Sequence, residues 1–91
     1  MRRIGISRNC WVDIYEADHF QGRMRRLFGP QKLRRPHAKS IIVGPRATVL
    51  LSVRRQGLES VVKLKAKSVI PDLAKSVRGA MIQQVAVLAK D

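Results

Sequence analysis

Lys63, Lys65 and Lys67 alternate with Val62, Leu64 and Ala66, so an extended chain would set three ammonium groups on one face and the apolar residues on the other. Arg23, Arg25 and Arg26 follow Gly22 as a second basic group, and Arg34 and Arg35 add a pair further on. Side chains of this kind do one piece of chemistry well, the holding of anions. An ammonium acts as a point charge, whereas a guanidinium fork matches two phosphate oxygens at once. The whole chain carries 19 Lys and Arg against 6 Asp and Glu, a net charge of +13. Ten basic and three acidic residues up to position 45 give +7, and nine and three beyond it give +6, so the charge is not confined to a tail. A field of that sign concentrates nucleic acid or an anionic envelope at the surface. It would also serve solubility and the protection of a sheet edge, which need no partner.

Other chemistry is thinly provided. The carboxylates Asp13, Glu16, Asp18, Glu59, Asp72 and Asp91 are scattered and read as charge partners for neighbouring arginines, although Asp13 and Glu16 could approach one another around a hairpin. His19 and His37 have no cysteine or histidine at zinc-ligand spacing, and Cys10 is the single cysteine, without a histidine at motif distance. No catalytic residue is assigned. Only four aromatics are present and Trp11, Tyr15 and Phe20 fit structural positions, which leaves too few rings for a platform that stacks single-stranded bases.

The elements that position these groups read as strands. Val12 and Ile14 alternate with Asp13 and Tyr15, the period of a half-buried strand. Tyr15 and Phe20 then bracket a turn that Gly22 can close, because glycine takes φ > 0 at little steric cost. A chain of 91 residues buries about 60–65% of its unfolded surface, enough for one core of modest stability. Its longest apolar runs are too short to span a bilayer as a helix. The stretch after Arg2 and Arg3 is broken by Gly5, Ser7, Arg8 and Asn9 and so lacks the apolar core of a secretory leader. The residues suit a cytoplasmic protein, or a secreted one whose leader has been removed.

The run Tyr15-Glu16-Ala17-Asp18-His19-Phe20-Gln21-Gly22 resembles the Y-x-x-x-x-F-x-G signature of the βγ-crystallin Greek key, where that aromatic corner locks the first hairpin. Ala38-Lys39-Ser40-Ile41-Ile42-Val43 falls where such a motif has its polar loop, serine and last strand. A fainter second copy runs from Thr48-Val49-Leu50-Leu51 through Gln56-Gly57, which repeats Gln21-Gly22, to a strand over residues 61–66. It has Leu50 or Leu51 in place of Tyr15 and Arg55 in place of Phe20, so aliphatic packing must hold its hairpin. The resemblance implies an all-β sandwich of two Greek-key motifs with about eight strands. Residues 1–9 would form a basic arm and residues 10–91 one domain, with motif one at about 10–45 and motif two at about 46–88. Leu73, Val77, Met81, Val85 and Leu88 recur at helix spacing. The resemblance instead implies a brief helical turn near residues 72–75 and a strand over 81–88, in keeping with Gly79 and the β-rich Val85-Ala86-Val87.

Calcium is the cofactor the resemblance would suggest, and the residues oppose it. Family members that bind it carry paired acidic or amide residues ahead of the serine, because a hard cation needs several oxygen ligands. Here the matching stretches are Arg35-Pro36-His37-Ala38-Lys39-Ser40 and Val77-Arg78-Gly79-Ala80-Met81-Ile82. Glu16 and Ser40 remain as residual oxygen donors, too few for a site, and Ser40 fits better as a hydroxyl bonded to the neighbouring hairpin. The expected function is a non-catalytic βγ-crystallin-like module whose basic surface, Lys63, Lys65, Lys67, Arg23, Arg25 and Arg26, meets an anionic partner, with Tyr15, Phe20 and Gly22 as the structural corner. A small secreted killer-toxin-like or antimicrobial protein, and a structural or stress protein, are the alternatives.

Overall fold

The alternating segments become strands in the computed structural model, which describes residues 9–89. The expected basic arm, residues 1–9, lies outside the described residues except for Asn9. Trp11–Ala17 (β1) and Gln21–Phe28 (β2) form the first hairpin, followed by Gln31–Arg34 (β3) and Ser40–Val43 (β4). Ala47–Arg55 (β5) and Leu58–Leu64 (β6) form the second, followed by Val69–Ile70 (β7), a single helical turn Leu73–Ser76 (α1) and Met81–Ala89 (β8). All pairings are antiparallel. One sheet has the order β2-β1-β4-β7 and the other β3-β8-β5-β6. Each motif therefore gives its third strand to the sheet of the other, which interlocks the two halves around one core.

That core is aliphatic. Val12, Ile14, Leu27, Ile41 and Val43 from the first sheet face Val49, Leu51, Val53, Val85 and Val87 from the second, all buried. Leu73 and Val77 close one end of the sandwich. The helix spacing after Leu73 is coincidental: Val85 is buried, but Met81 and Leu88 are exposed. Asp72 caps α1 by accepting a hydrogen bond from the Lys75 amide at 3.2 Å. Arg78 and Gly79, at φ 55° and 77°, then turn the chain into β8. No helix among the described residues is long and apolar enough to cross a membrane.

Two expectations about the second motif are corrected. The lysine strand is shorter than expected, since β6 ends at Leu64 and only Lys63 lies in it. The chain must leave the second sheet there to reach β7 in the first. It does so through a turn at residues 66–67, with Lys67 at φ 67° and its amide bonded to the Gly44 carbonyl at 3.1 Å. The second hairpin is also not a folded copy of the first. Gln56 and Gly57 take φ of 52° and 80° and make a two-residue turn, the geometry that follows strand twist. A side chain on Gly57 would meet nothing, so this hairpin has no fold-over for aliphatic packing to hold.

Candidate anion-binding site

The site is built outward from the first hairpin. After Ala17 the chain folds over with His19 and Phe20 both at positive φ and Gly22 at φ 79°, packed near enough to Ala17 that an added Cβ would sit 3.4 Å from it. The Tyr15 and Phe20 rings meet edge-on, 5.6 Å between centroids and 72° between planes. Beneath them Ser40 is fully buried. Its Oγ donates to the Ala17 carbonyl at 2.7 Å and accepts from the Phe20 amide at 3.0 Å, tying the start of β4 to the hairpin.

The same corner fixes one end of the segment between β3 and β4. The Lys39 amide donates to the Tyr15 carbonyl at 2.8 Å, and at the other end the Arg35 amide, at φ 50°, donates to the Gln83 carbonyl at 2.9 Å. Because β3 pairs with β8 while β2 pairs with β1, Arg34 and Arg35 return beside Arg23 and Arg25 at the open edge of the sandwich. Ile14 and Leu33 floor the resulting cleft of about 480 Å³, and the four arginines line it with His37 and, among the described residues, a single carboxylate, Glu16. All four arginines are exposed. None of the four guanidiniums is in an ion pair among the described residues. Four cations against one carboxylate leave the cleft with an excess of positive charge.

Arg26 is not part of it, which corrects its place in the expected basic surface. Its Nε donates to Asp13 Oδ1 at 2.6 Å and its Nη2 to Asp13 Oδ2 at 2.9 Å, and its guanidinium lies 4.2 Å from the centre of the Trp11 ring. The hydrogen bond to Asp13 raises the Arg26 pKa further above its ordinary value. Along β2, Arg25 pairs with Ile14 and shares its face, whereas Arg26 pairs with Asp13 on the other. Asp13 is buried under this clamp, and Glu16 lines the cleft with Ile14 instead of approaching it.

The expected single surface is in fact two. Lys63, Lys65 and Lys67 share a groove with Pro45, Thr48 and Leu88. Lys63 pairs with Leu50, between the buried Val49 and Leu51, so this groove lies on the outer face of the second sheet. There β6 is the last strand, whereas β3, beside the arginine cleft, is the first. Sequence reasoning noted Arg34 and Arg35 but did not join them to Arg23 and Arg25, because only the strand exchange brings them together.

The residues do not fit calcium. Ser40 Oγ already donates and accepts within the corner, and among the described residues Glu16 is the only carboxylate lining either the arginine cleft or the adjoining apolar hollow beside residues 77–82. Among the described residues no three His, Cys, Asp or Glu side chains converge as a metal site. Arg35 lines the cleft and Lys39 the adjoining hollow, and like charge opposes a divalent cation directly.

No protein-family model matches the chain, and no curated protein sequence matches it. Solved structures do. A βγ-crystallin domain of Abundant Perithecial Protein from Neurospora crassa, in its Ca2+-bound form, superposes with a TM-score of 0.72 at 16% identity over 100% of this chain and 98% of that one. A structure from work on the evolution of the eye lens βγ-crystallin domain fold superposes with a TM-score of 0.74 at 17% identity, over 99% and 96%. With eight strands among the described residues, in two antiparallel sheets and with each motif's third strand exchanged, this chain has the βγ-crystallin fold.

Proposed function

We propose that this protein is a non-catalytic βγ-crystallin-like module that holds duplex nucleic acid through the arginine cleft between β2 and β3. The observation that carries the reading is the set of four guanidiniums, Arg23, Arg25, Arg34 and Arg35, that line one cleft with no ion-pair partner among the described residues. Folded proteins ordinarily set surface charges of both signs side by side, and here the only carboxylate in the lining among the described residues is Glu16. Guanidinium forks suit phosphate oxygens. Three of the aromatic rings are committed elsewhere, Trp11 under Arg26 and Tyr15 against Phe20, and the exposed Phe28 does not line the cleft. Base stacking is therefore absent from the reading, and binding tracks the backbone without regard to sequence.

Fluorescence anisotropy with a short duplex over rising salt tests this. With the lysine groove silenced by Lys63→Gln/Lys65→Gln/Lys67→Gln, four phosphate contacts give a slope of log K on log salt of about −3 to −4, and adding Arg23→Gln/Arg25→Gln/Arg34→Gln should flatten it to about −1. A wild type that does not bind at low salt, or a variant with an unchanged slope, would overturn the assignment. Heparin and anionic vesicles in parallel titrations separate a preference for duplex from attraction to any polyanion.

A further inference from the structure

The lysine groove has no role in the cleft just described. Lys63, Lys65 and Lys67 line it together, exposed and without ion pairs among the described residues. Its position matters more than its charge. The arginine cleft opens between the sheets at their β2/β3 edge, and the lysine groove opens on the outer face of the second sheet at its β6 edge. Three strand spacings separate β3 from β6, roughly 14 Å between strand axes, and the two openings face different ways. A duplex shorter than its persistence length of about 150 base pairs is a stiff rod. One straight rod seated in the arginine cleft cannot also lie along the lysine groove.

We infer that the protein is bivalent and bridges two duplex segments, one held by the arginine cleft and the other by the lysine groove. The inference rests on the reading that the arginine cleft holds duplex, and adds a second, independent seat. The two seats differ in chemistry as well as direction. The first offers planar forks above an apolar floor of Ile14 and Leu33. The second offers point charges beside Thr48, and a flexible lysine stem lets each ammonium follow a phosphate without a fixed geometry. Bridging of this kind is a function of placement, and the strand exchange and the turn at residues 66–67 set that placement.

Two variants isolate it, Arg23→Gln/Arg25→Gln/Arg34→Gln and Lys63→Gln/Lys65→Gln/Lys67→Gln. Each lowers the net charge of +13 by three, so they match in total charge and differ only in where it is lost. All six side chains are exposed, and matched thermal melts confirm that both variants fold. A biotinylated short duplex on beads is incubated with protein and then with a second, fluorescent duplex. Wild-type protein should capture the second duplex. Each variant should remain on the beads while capture falls at least about tenfold, and mixing the two variants should not restore it. Protein held by the beads that captures no second duplex would overturn bridging and leave the reading of the cleft standing. Protein not held at low salt would overturn that reading itself. Capture undiminished in either variant, or restored on mixing, would overturn bivalency in favour of self-association. Retention on anionic vesicles but not on duplex would overturn the choice of partner.

Discussion

Ser40→Ala tests how the first hairpin is held and, through it, the segment that carries Arg34 and Arg35. The serine is fully buried, and its hydroxyl serves both the Ala17 carbonyl and the Phe20 amide. Two hydrogen bonds at about 1 kcal/mol net each set a floor of about 2 kcal/mol, and stranding the two backbone groups away from water raises the loss toward about 4 kcal/mol. Against a total of about 5–14 kcal/mol for a chain of this length, that is a large fraction. It corresponds to a fall in melting temperature of roughly 10–20 °C. Urea melts of Ser40→Ala beside Ser60→Ala, an exposed serine on β6, provide the measurement, with the control within about 0.5 kcal/mol of wild type. Equal midpoints for Ser40→Ala and Ser60→Ala would refute the view that this hydroxyl locks the corner.

Tyr15→Ala or Phe20→Ala should cost about 2 kcal/mol in denaturant melts, less than a fully buried ring because both are only partly covered. The exposed His19→Ala should cost little, and equal losses at Phe20 and His19 would remove the aromatic lock. Arg26→Gln leaves the buried Asp13 carboxylate without its counter-charge. It should destabilise by about 2 kcal/mol, below the range for a fully buried pair because Arg26 is itself half-exposed, and adding Asp13→Asn should recover part of that. Isothermal titration with calcium should find no site tighter than roughly millimolar, and a large calcium-dependent rise in melting temperature would show that the ligand comparison is wrong.

What the sequence reveals about this molecule divides by range. The Tyr15, Phe20 and Gly22 corner is legible because all its parts lie within eight residues and each obeys a local rule, an aromatic pair or a positive φ. The β-sandwich is legible for the same reason, in the period-two runs at residues 12–15 and in Val85-Ala86-Val87. The strand exchange has no local signal, since nothing in Gln31–Arg34 says that it will pair with β8 rather than with its own motif. The arginine cleft is a product of that exchange, so it could not be read from the spacing of Arg23, Arg25, Arg34 and Arg35. Arg26 misleads for another reason: it looks like its neighbours in the sequence, yet strand alternation turns it toward Asp13. The lysines mislead because the alternation in 62–67 outlasts the strand, which stops at Leu64 where the chain changes sheets. At the C-terminal end the helix-like spacing would have given the wrong answer alone, and the Greek-key pattern gave the right one.

The most direct test of the central claim is a duplex titration followed through the arginine Nε–Hε signals by NMR. The signals of Arg23, Arg25, Arg34 and Arg35 should move together with duplex and return as salt rises, while that of Arg26, clamped on Asp13, stays in place. Movement confined to other residues, with those four signals unchanged at low salt, would contradict the assignment of the cleft.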